Sequence, residues 1–127
     1  MKRVTLVLLV VASLFIASPV LAGIDGSKLL DDCQEAIRFQ ENKNAPSINF
    51  SSVNICTGYI LGISDLHANF VSSVGCFDPP FFCKPPPADL EQLVKIVVKF
   101  LKENPQDLHF QGSVLTMAAL KEAFPCL

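Results

Sequence analysis

Five cysteines, Cys33, Cys56, Cys76, Cys83 and Cys126, and two histidines, His67 and His109, are the residues of this 127-residue chain whose types suit covalent or metal chemistry. A thiolate beside an imidazole makes a nucleophilic pair. Neither histidine has a glycine-rich elbow or a serine motif beside it. Cysteines of an exported chain are normally oxidised. Cys76 and Cys83 lie seven apart with no histidine close by, so no tetrahedral zinc spacing is recognisable. The carboxylates fall on helix faces and first turns and read as solvated surface. No phosphate-binding loop is present. The chain therefore reads as no enzyme and as needing no cofactor.

A second pattern is mechanical. Within Cys56-Thr57-Gly58-Tyr59-Ile60-Leu61-Gly62-Ile63-Ser64-Asp65, helical spacing puts Gly58, Gly62, Asp65 and Asn69 on one narrow stripe. Tyr59, Ile60 and Ile63 flank it. Each glycine inside a helix costs roughly 1 kcal/mol relative to alanine, so two of them need a reason. The favoured reading is a packing notch, where a second helix crosses at close range. Asp65 would then accept hydrogen bonds from a neighbouring helix N-terminus or loop. The other reading makes Asp65 a ligand or partner contact.

Four helices must position these residues. The first runs from about Ser27 to Gln40, with Leu29, Leu30, Cys33, Ala36 and Ile37 at helical spacing and Asp31, Asp32, Glu35 and Arg38 on the other face. A polar loop containing Pro46 follows. The second spans about Ser52 to Val74, capped by Ser51 or Ser52 and ended by Gly75. Its apolar face is Val53, Cys56, Tyr59, Ile60, Ile63, Leu66, Phe70 and Val74. From Cys76 to Pro87 five prolines exclude regular helix. Phe77, Phe81 and Phe82 on that stretch are core plugs or a sticky surface. The third helix starts at Asp89, with Gln92 three residues on as in a capping box, and stops at Asn104-Pro105. Leu90, Leu93, Val94, Val97, Phe100 and Leu101 are its stripe. The fourth runs from Gln111 or Ser113 to Phe124, with Val114, Leu115, Met117, Ala118 and Leu120 available for the core. The expected fold is a small all-α four-helix bundle.

The N-terminus sets the compartment. Lys2 and Arg3 precede an apolar run from Val4 to Ala17, and Val20 and Ala22 fit the positions before a signal-peptidase cut. The run is shorter than the ~20 residues of a membrane span; an uncleaved anchor is the alternative. Residues 1–22 are thus expected to be a signal peptide and residues 23–127 one domain. Cleavage would leave 8 Lys+Arg against 12 Asp+Glu, a formal charge of −4 instead of −2. No basic block survives, which disfavours nucleic acid or an anionic membrane as partner. An oxidising destination makes disulfides the default. Two bridges and one leftover thiol can be drawn in fifteen ways, and spacing alone does not choose.

With these residues placed, the chain resembles the Rap/Tai family of immunity proteins to type VI secretion amidase effectors. The matching pieces are Leu29-Leu30-x-x-Cys33; Cys56-x-Gly58-Tyr59-Ile60-x-Gly62-x-x-Asp65; Cys83-x-Pro85 with Gln92; Val97-Val98-Lys99-Phe100-Leu101 with Pro105; and Ala119-Leu120-x-x-Ala123-Phe124-Pro125-Cys126. Together they span nearly the whole chain after residue 22, in order. The resemblance implies a periplasmic helical protein that binds a peptidoglycan amidase and occludes its active site, with a homodimer as a further expectation. It also implies the bridges Cys33–Cys56 and Cys83–Cys126 and leaves Cys76 extra. The segment from Phe77 to Phe82 looks like a lengthened loop about which the resemblance says nothing. Phe77, Phe81 and Phe82 are one candidate partner contact, because exposed aromatics on a proline-stiffened loop bind with little ordering cost. Asp107 and His109, on the turn before the fourth helix, are another. The competing reading is a general periplasmic helical protein, such as a stress chaperone that exposes apolar surface.

Overall fold

A computed structural model describes residues 23–75 and 79–127. The expected signal peptide, Cys76 and Phe77 lie outside the described residues. Among the described residues four α-helices make the fold: α1 (Gly26–Glu41), α2 (Phe50–Asn69), α3 (Leu90–Glu103) and α4 (Gly112–Ala123). α1 packs on α2 and α3, and α4 packs on α3.

Local chemistry explains the boundaries. The Asp25 carboxylate accepts from the Lys28 amide at 2.8 Å and caps α1. Asp89 does the same for α3 through the Gln92 amide, at 2.8 Å. The cap of α2 is Asn49, whose side chain accepts from the Ser52 amide at 3.2 Å. The expected cap, Ser51 or Ser52, is therefore displaced: the helix begins earlier, and Ser52 is buried in its first turn. The last turn widens to a π-turn over Phe70–Val74. It ends at Gly75, which takes the left-handed φ of 62° that suits glycine and donates its N–H to the Phe70 carbonyl.

Leu29, Cys33 and Ala36 of α1, Val53, Cys56 and Ile60 of α2, Leu93, Val94, Val97, Val98 and Leu101 of α3, and Leu115, Ala119 and Leu120 of α4 form one core. The buried stripe of α2 continues through Ser64 and His67. This overturns the placing of Leu66, which is 57% exposed: a period of 3.6 residues carries the stripe from Ile60 to Ser64 and His67 and turns Leu66 outward. Asp32 was expected on the polar face and is instead 1% exposed. It borders the apolar stripe of α1, where α2 covers it, and accepts from the Lys28 ammonium.

Two disulfides staple the bundle. Cys33–Cys56 joins α1 to α2, and Cys83–Cys126 joins the proline-rich segment to the C-terminal residues. These are the two bridges the family resemblance implied. The Cys83 amide also donates to the Phe124 carbonyl at 2.8 Å.

The close backbone approach occurs elsewhere than expected. Gly58 and Gly62 are exposed, and nothing among the described residues lies within 4 Å of where a Cβ would stand on either. No helix among the described residues crosses there, so within them the two glycines form no packing notch, and Asp65 beside them is exposed as well. The glycines that need to be glycine are Gly26 and Gly112. A Cβ on Gly26 would collide with the Leu115 side chain and stand 2.9 Å from the Leu108 carbonyl oxygen. On Gly112 it would stand 2.9 Å from the Ile24 oxygen. At this clasp the amides of Gly26 and Ser27 donate to the Phe110 and Leu108 carbonyls at 3.0 and 3.1 Å, and the Gly112 amide donates to Ile24 at 2.7 Å. Helix-start amides that lack intrahelical partners are thereby satisfied.

Two predictions follow from this contrast and from the staples. Gly112→Ala should destabilise by about 1–3 kcal/mol through overpacking, whereas Gly58→Ala and Gly62→Ala should each stabilise by roughly 0.5–1 kcal/mol. Urea unfolding of the three variants checks the opposite signs. Removing the Cys33–Cys56 bridge by paired serine substitution should cost about 3 kcal/mol, from loop-closure entropy across a separation of 23 residues, read in the same assay.

Candidate partner-binding surface

α4 is apolar almost all round: Gly-Ser-Val-Leu-Thr-Met-Ala-Ala-Leu-Lys-Glu-Ala. A helix of that kind is buried on every side or presents a face to another molecule. Leu115, Thr116, Ala119 and Leu120 face the core. Val114, at 57% exposure, faces out, with Met117 and Ala118 half-buried beside it. Phe81 closes over this face from the proline-rich segment. Phe81, Ser113, Val114, Met117, Ala118 and Lys121 line a groove of about 410 Å³, apolar along its length with the lysine at one end.

The position of Phe81 is built from three constraints. Proline residues fix the backbone on both sides. The Cys83–Cys126 bridge ties the segment to the chain end. His67 holds the middle: its Nε2 accepts from the Phe81 amide at 3.2 Å, and its ring stacks on Phe82 with centroids 3.9 Å apart and planes 18° from parallel. Phe82 is consequently buried, at 3% exposure, while Phe81 is 46% exposed. Of the aromatic contact residues expected on this loop, Phe82 is thus a core plug and Phe81 is the exposed one; Phe77 lies outside the described residues. The stack on His67 takes Phe82 into the core and leaves its neighbour outside.

The turn before α4 reaches the same end of the surface. Its Pro105–Asp107 stretch is a 3₁₀ turn. The Asp107 carbonyl accepts from the Phe110 amide at 2.9 Å, and Asp107 itself is half-buried. His109 is exposed, its ring 4.1 Å from that of Phe110, which is 48% exposed. Phe110 stands just before α4 and is not among the residues that line the groove. Sequence reading missed Phe110 and the outward role of Val114, because an apolar residue on a helix of uniform hydrophobicity carries no sign of which way it faces.

The remaining singled-out residues lie apart from this groove. Tyr59 is half-buried against the core, and Asp65 offers its backbone carbonyl to the Asn69 side chain at 2.9 Å. Glu35 does the loop-holding work once assigned to Asp65: its carboxylate accepts from the Asn49 amide at 3.1 Å and pairs with Arg38, which also donates to the Pro46 carbonyl. The Asn49 amide and the Arg38 guanidinium hold the Glu35 carboxyl below its usual range.

Cys33, Cys56, Cys83 and Cys126 are all bonded as disulfides. Cys83 lines the same hollow as His67, yet its sulfur is oxidised and provides no thiolate. Among the described residues no group of three or more His, Cys, Asp or Glu could hold a metal ion, and no helix is long and apolar enough to cross a membrane.

Among curated proteins none matches this sequence. The family model of Rap1a immunity proteins matches residues 25–126, which takes in all four helices, both disulfides and the groove, and the chain therefore belongs to the family of Rap1a immunity proteins.

Proposed function

We propose that this protein is a periplasmic immunity protein that binds a peptidoglycan amidase effector of a type VI secretion system and blocks its active site, protecting the cell that makes it. It acts as a stoichiometric inhibitor, without catalysis of its own. Membership of the immunity family supports binding of a cognate effector. The signal-like N-terminal sequence and the two disulfides agree with an oxidising compartment outside the cytoplasm.

The observation that carries the contact assignment is the apolar groove between Phe81 and α4, open among the described residues. An exposed apolar strip framed by polar residues is the usual mark of a protein interface. Phe81 and Phe110 are aromatic anchors on backbones already fixed by disulfide, proline and turn hydrogen bonds, so little ordering cost falls on binding. An interface of about 1,600 Å² in total is within reach of a chain with 8,808 Å² of accessible surface. Lys121 at the rim favours a partner that brings a carboxylate beside its apolar contact.

The test is periplasmic co-expression with an amidase encoded beside this gene. Co-expression should suppress lysis and yield an isolable complex; unabated lysis with no complex overturns the reading. Val114→Asp should weaken the complex by tenfold or more, a central-contact effect, with unfolding little changed because the side chain is already exposed. Phe81→Ser should behave likewise. Phe82→Ser should instead destabilise the fold by about 3 kcal/mol or more, as loss of a buried aromatic does, and so separates folding from contact.

A further inference from the structure

His67, the first of the two histidines, is 6% exposed. It sits where α2 gives way to its terminal π-turn, in a hollow shared with Ser64, Ala68, Val71, Phe82, Cys83 and Lys84. Its Nε2 accepts a hydrogen bond from the Phe81 amide, so that nitrogen carries the lone pair and Nδ1 bears the proton of the neutral ring. A protonated ring has a donor at both nitrogens. It would set an N–H against the Phe81 N–H, and the bond would be lost.

We propose that neutral His67 is the positioning residue that fixes Phe81 over the α4 groove, and that protonation of its ring releases Phe81 and weakens partner binding in acid. The inference rests on the assignment of Phe81 as a contact. The stacked Phe82 ring and the donating Phe81 amide belong to adjacent residues, so a single imidazole sets the buried neighbour and the exposed one together. Burial lowers the His67 pKa from its ordinary value of 6.5. Lys84, the charged side chain lining the hollow among the described residues, donates its ammonium to the Ala88 carbonyl at 3.2 Å.

The direction with pH follows. The folded ring resists the proton that the unfolded chain accepts near pH 6.5. The stabilising contribution is therefore complete above that pH and is lost as pH falls towards the lowered folded value. The latch is closed at neutral pH and opens in acid.

Nuclear magnetic resonance of the intact, disulfide-bonded protein between pH 7.5 and 4.5 tests this. The Phe81 amide and the His67 ring should titrate with one shared midpoint below pH 6.5. The protection of the Phe81 amide, its exchange rate relative to the intrinsic rate at the same pH, should fall about tenfold in the protonated state, the order of one lost hydrogen bond. His67→Gln keeps an acceptor without titrating in this range and should abolish the midpoint. His67→Phe keeps the stack without the acceptor and should show fast exchange at every pH. A Phe81 amide that does not follow His67, or that still titrates in His67→Gln, overturns the latch. With the co-expressed amidase as probe, affinity should fall about tenfold across the midpoint, and His67→Gln should remove that dependence. Unchanged affinity alongside a titrating amide overturns the positioning role. Absence of any complex at neutral pH overturns the immunity reading while the amide titration still judges the latch.

Discussion

The close approach of two helix starts constrains much of this structure. α1 and α4 begin side by side, and the backbone of each supplies hydrogen-bond partners to the other through Ile24, Gly26, Ser27, Leu108, Phe110 and Gly112. Amides at a helix start need acceptors, and here the acceptors are carbonyls of the opposing turn, reached because Gly26 and Gly112 present no Cβ. That contact fixes where α4 leaves the turn. It thereby fixes which of its apolar residues meet the core and which are left outside.

The fold was legible to the extent that it depends on periodicity and punctuation. Asp89, Asn104-Pro105 and Gly75 mark their boundaries through caps and forbidden backbone angles, and the structure places helix ends there. The core stripe of α3 reads directly from Leu93, Val94, Val97 and Leu101. What failed to read was partner geometry. Gly58 and Gly62 have the spacing of a packing notch, but spacing cannot say whether a second helix arrives, and none does among the described residues. Gly26 and Gly112 look like ordinary glycines at helix ends, though backbone contact between distant segments demands them. Asp32 and His67 are polar residues one step from an apolar stripe, where three-dimensional cover decides burial. The cysteine pairing was legible through the family pattern and not through spacing.

The candidate surface was half legible for the same reason. Aromatic residues on a proline-rich segment signal stickiness, and the segment does carry an exposed ring at Phe81. Which of two adjacent phenylalanines would face out depended on His67, fourteen residues away, which takes Phe82 as a stacking partner and Phe81 as a backbone donor. The Asp107–His109 turn was singled out for its polarity. Its more substantial contribution is structural, through the Leu108 and Phe110 carbonyls that hold α1.

The clasp also has a consequence for the order in which the fold closes. It joins segments that lie at opposite ends of the helical sequence, near residues 24–27 and 108–112. Contacts of such high sequence separation carry the larger loop-closure entropy and are slow to form. A chain emerging from its N-terminus onward has no acceptor for Gly26 until the final turn and α4 arrive. The first amides of α1 therefore stay without these acceptors until residues 108–112 are made, and their docking coincides with arrival of the cysteine at position 126 that completes the second staple.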